Sequence, residues 1–240
     1  MNEKILIAGA TGRTGRIIVQ KLLDRGEQPR ALVRDQAHAE KLFGSDIHTN
    51  IGDVRQIESL LPTMDGIETV ISSIGTKTPV GKNCPKRVDY QGVANLVQAA
   101  IAADVRRFIL ISSIAVTNWQ HPMNCFGKVL TYKLKGEDVL RNSGMDYLII
   151  RPGGLKDTAG GKKSLILDQG DHILGTISRS DLAEMCLFGL DFPGELRHTI
   201  EVIESDVEGP QNFENRFSSL VTDKTESVEK QITALIARSL

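Results

Sequence analysis

The stretch KILIAGATGRTG, residues 4–15, decides how the rest of the chain is read. Its first five residues form a short apolar run with the length and composition of a buried strand. Three glycines follow at once in G-x-x-G-x-x-G spacing. Then come Ile17, Ile18, Leu22 and Leu23, apolar residues at helical intervals. A helix that starts directly after such a turn presents backbone N–H groups with no intrahelical acceptor, and its dipole favours negative charge there. Glycine is needed where main chain must approach a phosphate closely and where the helix start must lie tight on the strand. The turn therefore reads as a cradle for a dinucleotide pyrophosphate, with Gly9, Thr11, Gly12, Arg13, Thr14 and Gly15 around it. The alternative is a tight turn with a purely structural purpose.

Outward from this turn, strands and helices alternate. RALV at 30–33, a helix near 36–43 and DIHTNI at 46–51 complete a βαβαβ series. GIETVISSI at 66–74, RFILISSI at 107–114 and DYLIIRP at 146–152 continue it, separated by helices near 55–61, 87–103 and 126–143. Strands that are apolar on consecutive residues are buried on both faces, so the expected fold is α/β, a Rossmann-like doubly wound parallel sheet. After Pro152 the regularity fades. GGLKDTAGGKK at 153–163 reads as a flexible loop, followed by a strand at 164–167, a helix near 179–189, a strand at 198–204, a polar connector and a final amphipathic helix near 224–238. A single domain is expected, with a cofactor-binding core over 1–155 and a small substrate lid and terminal helix over 156–240.

Composition narrows the partners. The 29 Lys and Arg nearly cancel the 30 Asp and Glu, so no overall field recruits nucleic acid or an anionic membrane. A small molecule is the expected partner. The three cysteines form no CxxC pair and the five histidines are scattered, which points to reduced thiols, a cytoplasmic setting and no metal. No segment reaches the roughly 18 apolar residues of a membrane span. Glu3 and the short apolar run after it do not suit a signal peptide.

Further candidates follow from position. The second strand of such a fold commonly ends in an acid that binds a ribose hydroxyl, but RALVRD places Arg34 there and Asp35 one residue beyond. With Arg13, it suggests a pocket for a 2′-phosphate, and hence NADP with NAD the less favoured cofactor. Asp53 and Val54 after the third strand either meet the adenine or, for Asp53, cap the next helix. Ser73, Ile74 and Gly75 end the fourth strand where the nicotinamide half would lie. Trp119, His121 and Met123 fall in an expected substrate loop, with closure of that loop onto the core as their ordinary use. Arg106, Arg107, Lys162 and Lys163 read as solvated surface charges. Val228, Ile232, Leu235 and Ile236 make an apolar stripe suited to packing on the body, on a partner protein or on a second copy.

Several stretches, IAGATGRTGRIIVQKLL, ALVRD, GDV, VDYQGVANLVQAA, RRFILISSIAV, KLKGEDVLRNSGMDYLIIRPGGL and ISRSDLAEM, together resemble the short-chain dehydrogenase/reductase superfamily. The resemblance is to its atypical, NmrA-like members, among them flavin and biliverdin-IXβ reductases and plastid NADP-binding proteins. It implies that Ser113 stands at the catalytic serine and, with Glu137 four residues further on, that Lys133 stands at the catalytic lysine and holds the nicotinamide ribose. The superfamily's tyrosine, four residues before that lysine, is replaced by Val129, and Tyr132 lies about 100° around the helix from Lys133. Pro152 and Gly153 match the stretch that lines the nicotinamide face, and Asp181 a helix start that it would cap. The resemblance implies an NADPH-dependent oxidoreductase for a planar conjugated acceptor, a flavin, biliverdin or quinone, that takes its proton from solvent. The alternative is an NADP(H)-binding sensor or assembly factor without turnover.

Overall fold

The computed structural model describes residues 4–44, 47–211 and 213–224. Its main sheet joins β1 (Ile5–Ala8), β2 (Arg30–Val33), β3 (His48–Ile51), β4 (Thr69–Ser72), β5 (Arg107–Ile111), β6 (Asp146–Pro152), β8 (Lys163–Asp168) and β10 (Arg197–Glu208) in the order β3-β2-β1-β4-β5-β6-β10-β8. Every pairing in it is parallel except β10 with β8. Two short strands, β7 (Gly154–Lys156) and β9 (Thr176–Ser178), pair separately. The predicted doubly wound parallel sheet is thus present, and the expected flexible loop after Pro152 contains a strand.

Five helices cover the two faces: α1 (Arg13–Asp24), α2 (Gln36–Phe43), α3 (Gln91–Ala102), α4 (Val129–Arg141) and α5 (Arg179–Asp191). The strands sort their side chains by alternation. Ile5 and Ile7 of β1, Ile109 and Ile111 of β5, and Leu148 and Ile150 of β6 join Ile18 and Leu22 of α1 and Leu182 of α5 on one face. Leu6, Phe108, Leu110 and Ile149 join Leu96 of α3 and Leu140 of α4 on the other. Each such side chain, once buried, contributes about 1.5–3 kcal/mol, so a run of apolar residues on both faces commits a segment to the interior of the sheet.

Two local expectations change. The helix expected near 55–61 is instead a pair of 3-10 turns, Ile57–Ser59 and Leu61–Met64, the second carrying Pro62 in its first turn, where proline's missing N–H costs nothing. A short α6 (Phe213–Phe217) lies in the expected connector, and the predicted terminal helix, with its partner-binding stripe, falls outside the described residues.

Arg107 is the clearest departure. Read as a solvated charge, it is fully buried at the start of β5. Its guanidinium pairs with Asp146 at 2.9 Å and donates to the carbonyls of Gly189, Leu190, Phe192 and Gly194. Those carbonyls lie in the last turn of α5 and just beyond it, where no further helical N–H exists to bond them, so the arginine serves as the cap of that helix.

A second buried ionic group links α4 to the sheet. Glu137 is fully buried, pairs with Arg151 at 2.7 Å and Arg141 at 3.0 Å, and accepts from the Ser112 hydroxyl. Removing one member of such a group leaves the others charged and desolvated. Glu137→Gln keeps the volume but confronts two guanidinium groups with a neutral amide. We expect it to lower the unfolding free energy by about 3 kcal/mol in urea titration, and a loss below about 1 kcal/mol would contradict this role.

Candidate cofactor and acceptor site

The sheet order reverses between β1 and β4, which run from the middle in opposite directions of strand order, and the glycine turn sits at that switch point. Gly9 has φ +83°, and a Cβ there would come within 2.9 Å of the Ser73 main chain at the end of β4. A Cβ on Gly15 would overlap the Gly9 carbonyl. The α1 start is thus pressed onto the turn at a distance only glycine allows. Gly12 is the N-cap, and no side chain caps the helix or places an acid in its first turn. The main-chain donors of that turn remain available to an anion. The Ser73 hydroxyl donates to the carbonyls of Ala8 and Gly9, tying the two diverging strand ends together.

Two adjoining clefts open along this edge, and Ser73, Ile74 and Gly75 line both. The first, of about 410 Å³, includes Gly9, Thr11, Gly12, Arg34, Asp53 and Val54, all expected from the sequence. Arg34 is exposed beside it, and Asp35 is turned away to cap α2, accepting from the His38 N–H at 3.1 Å. No carboxylate of β2's end therefore competes for a phosphate. His38 also lines this cleft; one turn into α2 on the same side as Arg34, it lacked any sequence signal of its own.

Arg13 does not join Arg34. It lies outside this lining and forms an ion pair with Asp157, which also pairs with Arg179 at 2.7 Å. The expected pairing of Arg13 with Arg34 is not formed, because a carboxylate far along the chain claims the Arg13 guanidinium; the basic side chain that lines the cleft beside Arg34 is His38. Asp53 caps no helix either: its carboxylate accepts from the Arg55 side chain at 2.8 Å and from the Arg55 N–H at 3.0 Å. The Arg55 hydrogen bonds hold the Asp53 carboxyl below the usual range against the opposing effect of burial, with Arg34 assisting. Arg55 in turn reaches the Lys82 carbonyl and the Asn83 side chain, fastening the 76–83 segment over the cleft.

The second cleft, of about 400 Å³, is lined by Thr14, Ser113, His121, Met123, Lys133, Pro152 and Gly153, among others. The Lys133 ammonium pairs at 2.9 Å with Asp89, a buried carboxylate in the π-helical turn Lys86–Tyr90 whose role no local spacing announces. The Asp89 carboxylate also accepts from the Thr76 N–H. Val129 is buried, and Tyr132 stacks on Tyr90 with ring centroids 6.4 Å apart. No tyrosine is among the lining residues. Trp119 is 76% exposed and so does not close its loop onto the core, whereas His121 and Met123 face the cleft. Asp181 does not cap α5. Ser178 does, while buried Asp181 accepts from the Gly161 N–H at 2.7 Å.

The loop after β5 is held from across the sheet. Asp171, at φ +65°, accepts from the N–H groups of Ala115 and Thr117 and from the Thr117 hydroxyl at 2.5–2.8 Å. Its own N–H and that of His172 donate to buried Glu201.

This strand, turn and helix at a switch point, opening onto a two-part cleft, define a Rossmann-type dinucleotide-binding protein. The chain belongs to the NAD(P)H-binding family, matched over residues 9–193, and to its atypical, NmrA-like short-chain dehydrogenase/reductases. An uncharacterized chloroplastic protein of Arabidopsis thaliana is 35% identical over 92% of this chain and 75% of its own length. Sanguinarine reductase of Eschscholzia californica is 29% identical over 92% of this chain and 96% of its own. In fold, the anaerobillin reductase of Escherichia coli O157:H7 superposes with a TM-score of 0.73 at 24% identity, covering 85% of this chain and 98% of the other. The cytoplasmic setting expected from the cysteines is corrected by these relatives: the Arabidopsis protein and further matches from Arabidopsis and rice are chloroplastic. No helix among the described residues is long and apolar enough to cross a membrane.

Two predictions follow from this geometry. Arg34→Ala should weaken NADPH binding on the order of tenfold, the loss of one charge-assisted contact, and leave NADH binding nearly unchanged in parallel fluorescence titrations. Equal losses would remove Arg34 from the 2′-phosphate. For Asp171, burial raises the carboxyl pKa, but the bonds from Thr117 and Ala115 outweigh it and the net shift is downward. A depressed folded-state value means stability that is present above the unfolded pKa of about 3.9 and lost as pH falls through the lower folded value. Asp171→Asn should therefore flatten the fall of Tm below about pH 4; an acid limb as steep as that of the parent would refute the contribution.

Proposed function

We propose that this protein is an NADPH-dependent reductase of a planar, conjugated acceptor. The observation that carries the reading is the continuity of the two clefts through Ser73, Ile74 and Gly75: one half is backbone-lined at a helix start, the other mostly apolar. The resemblance to sanguinarine reductase over nearly the full length of both chains supports reduction as the activity.

In this reading Gly9, Gly12 and Gly15 let the α1 start bind the pyrophosphate, with Thr11 and Thr14 beside it. Arg34 and His38 take the 2′-phosphate, and Val54 packs on the adenine next to the Arg55-held Asp53. Lys133, steadied by Asp89, binds the nicotinamide ribose, and Pro152 and Gly153 back the ring. When bound, the reduced nicotinamide supplies hydride. Ser113 orients the acceptor, and the cleft offers no tyrosine to protonate it, so a proton from solvent completes the reduction.

Steady-state NADPH oxidation with flavin, biliverdin and quinone acceptors tests this. We expect turnover above the non-enzymatic background with at least one of them, and Ser113→Ala to lower the rate with cofactor affinity unchanged. Tight NADPH binding without turnover of any acceptor would instead favour the sensor or assembly role.

A further inference from the structure

The acceptor cleft is electrically neutral. Among the described residues its one ionised lining group is the Lys133 ammonium, matched by Asp89 at 2.9 Å. Around it stand apolar residues, of which Met123, Leu155 and Leu174 are 51%, 36% and 77% exposed, a large apolar surface left open to solvent beside the nucleotide cleft. Ring compounds bind such surfaces through apolar burial, with a few polar groups setting their orientation.

Half of the polar side chains in the lining are already engaged, Lys133 by Asp89 among them. The Ser73 hydroxyl is bonded to the Ala8 and Gly9 carbonyls, and that of Ser112 to Glu137. Besides the Thr14 hydroxyl at the α1 start, two side-chain donors of this lining have no acceptor among the described residues. One is the Ser113 hydroxyl. The other is His121: its Nδ1 accepts from the Met123 N–H at 3.2 Å, which places the ring proton on Nε2. A neutral imidazole with a fixed tautomer is a hydrogen-bond donor to an oxygen that gains negative charge, and it need not surrender its proton.

We propose that the acceptor is an uncharged carbonyl compound of the quinone class, its ring against Met123, Leu155 and Leu174 and one oxygen held by His121 Nε2–H and the Ser113 hydroxyl. The inference rests on the reductase reading above and selects among its acceptors. A ring bearing a carboxylate or phosphate would give up hydration to a wall with no unmatched cation, whereas an uncharged ring meets no such penalty. The reaction balances as quinone, NADPH and one proton giving hydroquinone and NADP⁺. Hydride adds to the quinone, charge gathers on the carbonyl oxygen under the two donors, and solvent delivers the proton.

The test is calorimetry on the full chain, first with NADP⁺, then with chromone and chromone-2-carboxylate on the NADP⁺-saturated protein. These redox-inert fused-ring probes differ by one charge. Chromone is expected to bind at least tenfold tighter. Leu155→Arg, at the exposed edge of the cleft, should reverse that order by supplying the missing cation. His121→Phe keeps a planar ring but removes the donor; it should lower chromone affinity at least fivefold and quinone turnover at least tenfold, with NADP⁺ affinity unchanged. Failure to bind NADP⁺ would undo the reductase reading itself. With NADP⁺ bound, equal affinities, tighter binding of the carboxylate or no binding of either probe overturns this inference alone, as does an unchanged order in Leu155→Arg. Unaltered chromone binding by His121→Phe overturns the oxygen contact.

Discussion

The closeness of the Gly9 carbonyl to the first turn of α1 is the constraint from which the site follows. Because no Cβ fits at Gly15, helix and strand can meet at van der Waals distance, and the helix axis then points its uncapped donors into the gap between β1 and β4. That gap exists because successive crossovers carry the chain to opposite sides of β1. Ser73 closes its floor. Everything else at the site is hung on strand ends that this arrangement brings to one edge.

The two buried ionic groups do different work. Arg107 ties the start of β5 to the end of α5, at the edge of the sheet away from the cleft, and so belongs to the scaffold. Glu137 stands one helical turn after Lys133, and by binding Arg151 of β6 and Ser112 beyond β5 it fixes the register of α4 against the strands. The position of the Lys133 ammonium is thereby set from two directions, by Glu137 along the helix and by Asp89 across from it. Charged groups held this deeply stay in place only while every partner is present.

What the sequence disclosed was local or periodic. The glycine turn, the β6 boundaries and the α1 start follow from spacing within a few residues, and the sheet follows from apolar runs that can only be buried. Arg34 was legible because its place at a strand end is fixed by the motif before it. What stayed hidden depends on partners far along the chain. Arg107 looks like any surface arginine until the carbonyls after α5, more than eighty residues later, fold onto it. Arg13 was drawn away by Asp157 and Asp89 met Lys133 across two helices, pairings that neither residue's neighbours announce. His38 and His121 are scattered in sequence, and only the cleft gives them a direction.

The two halves of the cleft are made of different material. The nucleotide half rests mainly on main chain, whose shape survives most side-chain replacements outside the glycines. The other half is a wall of side chains at exposed positions such as Met123, Leu155 and Leu174, where exchange disturbs little of the core. Descendants of one ancestral chain can therefore diverge in the compound they accept while inheriting an unaltered hold on the coenzyme, and a laboratory library confined to those positions would explore the same space without risking the fold.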